Sequence, residues 1–269
     1  MALTQFQRTI CRLIAAERIR QGVSYVAGGV ALNTLTNSLR VSRDIDIFHD
    51  AHESVETSWV ADRNSLEKSG YTVHALRERE TFVEASVSKD GESVVLQWAL
   101  DSAYRFFPLI EHDDFGLALH PFDLATNKVL ALVGRLEARD WVDTIQCHRK
   151  IQRLGYLAWA ASGKDPGFSP AAILEQAGRS AHYSTVEINA LSFSGTTPDA
   201  ASLSREWRAM LQEARGIVAA LPPAETGKCV VDLQGSLFEG GLPELSAALE
   251  TASLRFHEGS LRGAWPRIR

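Results

Sequence analysis

The chain has 269 residues, 45% of them hydrophobic and 23% charged, so it can bury a sizeable core in one large domain or two modest ones. Its net charge of −5 argues against a protein that coats nucleic acid over its whole surface, although a local basic patch is compatible with it. The three cysteines fit neither a zinc-finger spacing nor a disulfide framework, and no segment has the length of apolar sequence that spans a membrane. Because the N-terminus also lacks a signal-peptide pattern, we expect a soluble, cytoplasmic protein with no membrane partner.

The first part of the chain predicts a small mixed sheet with helices packed against it. Apolar residues recur at helical spacing in some segments and alternate with polar residues in others. The predicted order is helix, strand, helix, strand, helix and then three strands, over residues 3–21, 24–27, 30–35, 43–48, 55–69, 71–76, 81–88 and 93–100.

Beyond about residue 116 the pattern becomes mainly helical, with loops rich in Ser, Gly and Pro. Helices are predicted over residues 121–136, 138–154, 171–178, 202–221 and 243–251. We therefore predict an α+β domain over residues 1–117 and a mainly helical C-terminal domain over residues 118–269.

Two short features of the first domain point to phosphate chemistry. Asp44 and Asp46 are two apart on a predicted strand, so both carboxylates lie on one face, where a magnesium ion would offset their repulsion. Gly28-Gly29 lies between a strand and a helix, where bare backbone and free helical N–H groups can approach a phosphate. Either feature alone is common in tight turns or on exposed strands; the two together, at this spacing, indicate a nucleotide site.

Two blocks of sequence resemble a known family. The runs Gly28–Leu32 and Arg40–Phe48, and then Asp123–Arg135 and Arg139–Asp143, are similar to the motifs of AbiEii/AbiGii-type nucleotidyltransferases, a group that includes the MenT toxins. The blocks lie within roughly Tyr25 to Asp143, about half of the chain. The resemblance implies a polymerase-beta-like nucleotidyltransferase domain, followed by a helical domain that contributes to the active site.

The resemblance also implies a role for each matching residue. Asp44 and Asp46 would bind Mg²⁺, Gly28 and Gly29 would cradle the triphosphate, and Ser42 would bind phosphate or shape the loop. Lys128 would bind a phosphate, and Asp143 would complete the pocket as a nucleotide contact or proton acceptor, with Asp140 a weaker nucleotide-binding candidate. Outside a site, Asp140 could pair with Arg139 or cap a helix, and Asp143 could form an i, i+4 ion pair with Arg139.

One position departs from the pattern of this fold. A third carboxylate is expected on a later strand, and Gln97 occupies that position, with Asp101 four residues further on. A neutral amide cannot deprotonate an attacking hydroxyl, so either the base lies elsewhere or metal activation suffices.

The predicted activity is transfer of a nucleoside monophosphate from a nucleoside triphosphate to an acceptor. The family resemblance implies a toxin of a toxin–antitoxin system, with an antitoxin protein as a partner and the 3′ end of transfer RNA as the acceptor. Arg135, Arg139, Arg149 and Lys150 follow Lys128 and form a candidate RNA-binding patch, although a solvated helix face would look the same. A protein or small-molecule acceptor, or a degenerate nucleotide-binding module, are the alternatives.

Overall fold

The computed structural model describes residues 3–179 and 183–267. The chain divides into two compact units. The first holds the residues up to Ala103 together with Leu109–His120, and the second holds Tyr104–Pro108 together with the chain from Pro121 onwards. No described helix is long and apolar enough to cross a lipid bilayer.

The first unit consists of three helices around a seven-stranded sheet. Its helices are α1 (Gln5–Gln21), α2 (Gly28–Leu35) and α3 (His52–Lys68). Its strands are β1 (Ser24–Ala27), β2 (Asp44–His49), β3 (Thr72–Arg79), β4 (Phe82–Lys89), β5 (Glu92–Leu100), β7 (Ile110–His112) and β8 (Gly116–Ala118). The short strand β6 (Tyr104–Arg105) belongs to the second unit.

The sheet is mixed, with strand order β3-β4-β5-β2-β1-β8-β7. β2 runs parallel to β5 and β1 runs parallel to β8, while every other neighbouring pair is antiparallel. This order places β2, which carries Asp44 and Asp46, between the strand that leads into the glycine pair and the strand that carries Gln97.

The two faces of the central strands differ in character. Ile45 and Ile47 of β2, with Leu96 and Trp98 of β5, are fully buried, and α1 and α3 contact these strands. The alternate positions, among them Asp44, Asp46 and Gln97, are only partly exposed and carry the polar groups. The period of two in the sequence therefore separates a packed face from a polar face.

The second unit is mainly helical. Its helices are α4 (Pro121–Arg135), α5 (Ala138–Lys150), α6 (Leu154–Ala161), α7 (Pro170–Gly178), α8 (Thr185–Asn189), α9 (Ala200–Ala220) and α10 (Leu242–Glu250). Two short antiparallel pairs accompany them: β9 (Cys229–Asp232) with β10 (Leu254–His257), and β6 with β11 (Ser260–Leu261). One hydrophobic cluster joins Tyr156 and Trp159 of α6 to Ile217 of α9, Val230 of β9 and Leu245 of α10.

The fold class predicted from the sequence is confirmed, namely an α+β chain with a mixed sheet and a helical C-terminal part. One predicted helix, over residues 138–154, is wrong in its extent: α5 ends at Lys150 and α6 begins at Leu154. The break is held by the buried Gln152, whose amide donates to the carbonyls of Val230 and Phe238. The prediction of helices alone also missed β9 and β10, because strands of four residues give little periodic signal.

Candidate active site

The glycine pair forms a tight turn against the second aspartate. β1 ends at Ala27, and α2 begins at Gly28 with a φ of 65°. A Cβ atom on Gly28 would lie 1.7 Å from Asp46 Oδ2 and 2.6 Å from Asp46 Cγ. Only a residue without a side chain lets the backbone lie this close to the carboxylate, so Gly28 and Asp46 form one structural unit.

The second glycine lies against two further polar groups. A Cβ atom on Gly29 would be 2.6 Å from Ser42 Oγ and 2.8 Å from Arg40 Nη2. Arg40 is buried, and no role is predicted for it from the sequence because it lies in the loop before β2. The structure thus brings a cation and a hydroxyl to the start of α2, where Ala27 provides no capping side chain for the first N–H groups.

Helix α1 fixes the loop that leads into β2. Thr4 and Gln7 form a capping box at its N-terminus, and the Gln7 Nε2 group donates to the carbonyl oxygen of Ser42 at 2.9 Å. This anchor holds Ser42 two residues before Asp44, so the predicted residues Gly28, Gly29, Ser42, Asp44 and Asp46 come together in the first unit.

The donor set fits magnesium. Asp44 and Asp46 are partly exposed on one face of β2, and Asp46 lies opposite Ala27 in the strand register. Among the described residues no group of three or more His, Cys, Asp and Glu could hold a metal by itself. Two carboxylates are enough for Mg²⁺, which usually completes its shell with substrate phosphates and water rather than with a full cage of protein ligands.

Gln97 stands where the family resemblance leads us to expect a third carboxylate. It lies opposite Asp46 in the parallel pair β2–β5 and opposite Glu84 in the antiparallel pair β4–β5. Its Nε2 group donates to Glu84 Oε1 at 3.0 Å. Sequence reasoning missed Glu84, because only the strand register brings residue 84 beside residue 97.

The second unit holds a buried ion-pair cluster. The ammonium of Lys128 on α4 lies 3.0 Å from Asp140 Oδ1 and 3.1 Å from Asp143 Oδ2, both on α5. Both aspartates are fully buried, and Arg135 lies 2.8 Å from Asp140. Arg139 pairs with Glu137 rather than with Asp140 or Asp143, so the ion pairs suggested from the sequence for Arg139 are wrong.

The surroundings of this cluster are largely shielded from solvent. Cys147 lies one helical turn beyond Asp143 and is fully buried. Burial raises the pKa of its thiol, and the charge of Asp143 raises it further. The thiol therefore stays neutral, and it is not a nucleophile at physiological pH.

Three of the four residues predicted to bind RNA, namely Arg135, Arg139 and Arg149, have a carboxylate partner. Arg149 pairs with Glu206, and Arg153 lies 2.8 Å from Glu213. Arg149, Arg153 and Glu206 border a cavity of about 450 Å³ that His148, Lys150 and Glu239 also line. Because burial lowers the pKa of His148, the positive charge here comes from the arginines and Lys150.

A pair of glycine variants tests the role of the turn. Gly28 and Gly22 share a φ of 65°, but a Cβ on Gly22 would meet nothing within 4 Å. Alanine at either position strains the backbone by about 1–2 kcal/mol, whereas only Gly28→Ala displaces the Asp46 carboxylate. We expect Gly28→Ala to lose Mn²⁺ binding in titrations. Gly22→Ala should keep Mn²⁺ binding, although the two variants should have similar melting temperatures. Equal Mn²⁺ affinities in the two variants would contradict the packing of Gly28 on a metal ligand.

No model of a known protein family matches the chain, and no curated protein matches its sequence. Solved structures do match its fold. JHP933 from Helicobacter pylori aligns with a TM-score of 0.57 at 15% identity, over 93% of this chain and 99% of that one. A second H. pylori protein, provisionally described as a nucleotidyltransferase, aligns with a TM-score of 0.50 at 14% identity, over 82% and 99% of the two chains.

MenT4, a nucleotidyltransferase toxin from Mycobacterium tuberculosis H37Rv, aligns with a TM-score of 0.50 at 14% identity, over 81% of this chain and 85% of that one. At such identities the similarity establishes the fold. The α+β fold predicted from the sequence is therefore shared with these solved structures, over 93% of this chain for JHP933 and 81% for MenT4.

Proposed function

We propose that this chain is a magnesium-dependent nucleotidyltransferase. The observation that carries the proposal is the packing of Gly28 on the Asp46 carboxylate, with Asp44 on the same strand face. A tight turn alone would not require a carboxylate against its backbone, and an exposed strand would not require a glycine beside it. The fold similarity to MenT4, itself a nucleotidyltransferase toxin, supports the same activity.

The residues of the first unit would divide the work between cation and phosphates. Asp44 and Asp46 would hold Mg²⁺, which neutralises phosphate charge and steadies the attacking and leaving oxygens. The free N–H groups at the start of α2, with the Ser42 hydroxyl and the Arg40 guanidinium beside Gly29, would bind phosphate oxygens. Catalysis then comes mainly from positioning and charge neutralisation.

The reaction exchanges one phosphorus–oxygen bond for another. An acceptor hydroxyl oxygen attacks the α-phosphorus, the bond from the α-phosphorus to the bridging oxygen breaks, and pyrophosphate leaves. The hydroxyl proton passes to a base or to water. Gln97 cannot take it, because a neutral amide does not accept a proton at this pH.

For the acceptor we propose RNA, specifically the 3′ end of transfer RNA, in a toxin that a cognate antitoxin protein restrains. The support is the fold similarity to a toxin and the group of basic residues at Arg135, Arg139, Arg149 and Lys150. The carboxylate partners of the three arginines weaken the local positive field, so we expect modest, salt-sensitive RNA binding.

A non-catalytic nucleotide-binding module is the second candidate, and the replacement of the third carboxylate by Gln97 favours it. Incubation of the purified protein with each of the four α-labelled triphosphates, total RNA and Mg²⁺ separates the two candidates. A catalyst labels an acceptor, and digestion with ribonuclease or protease identifies that acceptor as RNA or protein. Binding of a triphosphate with no labelled product would instead indicate the module.

The RNA patch is tested by the double variant Arg149→Ala with Lys150→Ala. Removing a side chain that binds an RNA phosphate should reduce the salt slope of RNA binding by about one unit, so this variant should label RNA less and depend less steeply on salt. Triphosphate binding should be unchanged. The matched control, Arg63→Ala with Lys68→Ala, removes the same charge from α3. An equal loss of RNA labelling in the control would show that net charge alone is responsible. Unchanged RNA labelling in both double variants would remove the patch from the proposal.

A further inference from the structure

Glu84, Gln97 and Asp46 lie side by side on three neighbouring strands. The register pairs Glu84 with Gln97 and Gln97 with Asp46, and all three side chains share the partly exposed face of the sheet. Because neighbouring strands are about 4.8 Å apart, Glu84 and Asp46 lie about 10 Å from each other, with Gln97 between them. The Gln97 amide is thus flanked by a carboxylate on either side.

Only one end of an amide can donate a hydrogen bond. An ionised carboxylate accepts and never donates, so either flanking carboxylate would attract the NH₂ group of Gln97. In the structure the Nε2 atom of Gln97 donates to Glu84 Oε1 at 3.0 Å. Since β5 lies between β4 and β2, an amide whose NH₂ group donates toward β4 can present its oxygen toward β2 and Asp46.

We infer that Glu84 is a positioning residue, which holds the Gln97 amide so that its oxygen, rather than its NH₂ group, faces Asp46 and the cation bound there. The inference rests on the proposed function, because it assigns a role toward the magnesium site. It explains how a neutral residue can stand where the fold usually has an acid: an amide oxygen is a neutral ligand for a hard cation or an acceptor for the incoming hydroxyl.

The arrangement also prevents a competing contact. If Glu84 were absent, the Gln97 NH₂ group would be free to rotate and donate to Asp46, the nearest remaining carboxylate in the row. That hydrogen bond would occupy an oxygen that the cation needs. Residues that orient metal ligands in this way are typically worth about 10–100-fold in metal affinity.

The experiment measures Mn²⁺ affinity of the full chain without nucleotide, from the electron paramagnetic resonance signal of free Mn²⁺. We expect Glu84→Ala to weaken Mn²⁺ binding by about 10–100-fold. Glu84→Gln should bind more tightly than Glu84→Ala, because its amide oxygen still accepts from Gln97. Glu84→Thr, which suits a strand, replaces Glu84→Ala if the alanine variant fails to fold. The matched control is Glu92→Ala, which removes the same charge from an exposed position on β5.

A double-mutant cycle separates positioning from a direct effect of charge. Gln97→Met removes the NH₂ group, so adding Glu84→Ala to it should cause no further loss of Mn²⁺ affinity. A full further loss in that background, or native affinity in Glu84→Ala alone, would overturn the inference. The Asp46→Asn variant distinguishes failure of the role inferred for Glu84 from failure of the proposed function. If Asp46→Asn weakens Mn²⁺ binding and Glu84→Ala does not, only the role of Glu84 is wrong. If Asp46→Asn leaves Mn²⁺ binding intact, the metal site itself is wrong, and the inference is overturned with it.

Discussion

Asp46→Asn is expected to lower the rate of nucleotidyl transfer by more than about 100-fold, the upper end for residues that only support a metal ligand. Asparagine has nearly the shape of aspartate, so it can still pack against the bare backbone of Gly28. It lacks the negative charge with which Asp46 would attract a magnesium ion. The variant should therefore fold with a native melting temperature and bind RNA, but transfer no label in a timed assay with an α-labelled triphosphate.

Asp90→Asn is the matched control for this variant. Asp90 has a φ of 52° in the turn between β4 and β5, a conformation that asparagine tolerates well. It undergoes the same chemical change in the same unit, and it should keep full activity. Full activity in a folded Asp46→Asn protein would contradict the metal assignment.

Lys128→Ala is expected to lower the free energy of unfolding by about 3–5 kcal/mol, the cost of breaking a buried ion pair by removing one partner. Asp140 and Asp143 are fully buried, and the ammonium of Lys128 lies within 3.1 Å of both. Arg135 still compensates Asp140 in the variant, so that carboxylate keeps one cationic partner. Urea denaturation measures the effect, and Lys150→Ala, an exposed lysine, should change stability by less than about 0.5 kcal/mol.

A second substitution tests the cause of this loss. Asp143→Asn in the Lys128→Ala background removes one of the two buried charges that Lys128 compensates, so the double variant should recover part of the lost stability. A loss under about 1 kcal/mol in Lys128→Ala would contradict a buried, compensating lysine. The sequence alone predicts little effect on stability, because a pocket lysine is expected to act only when ligand is present. A loss of triphosphate binding in Lys128→Ala therefore does not by itself establish a phosphate contact, and that role of Lys128 stays a prediction.

The glycine turn and the aspartate strand could be predicted because their signals are local. A strand, two glycines, a helix and an alternating Asp-Ile-Asp-Ile lie within residues 24–47, and each follows from backbone geometry. Antiparallel pairing of β1 with β2, which sets Ala27 opposite Asp46, then brings the turn and the aspartates together.

The parts that could not be predicted depend on contacts between distant residues. Glu84 reaches Gln97 only through the register of a hairpin, and a shift of one residue would turn it to the packed face. The ion pairs of Asp140 and Asp143 depend on a second helix, because Lys128 on α4 pairs with both carboxylates while Arg139 pairs with Glu137. The interruption at Gln152 depends on carbonyl groups about eighty residues away, which no local pattern reports.

The most direct test of the central claim compares two positions of the label in one triphosphate. The native protein is incubated with total RNA, Mg²⁺ and a triphosphate labelled at either the α- or the γ-phosphorus, beside the Asp46→Asn variant. A nucleotidyltransferase attaches the α-label to the acceptor and releases the γ-label as pyrophosphate, and the variant does neither. Transfer of the γ-label to an acceptor, or transfer of the α-label by the native protein and the variant at equal rates, would contradict the account.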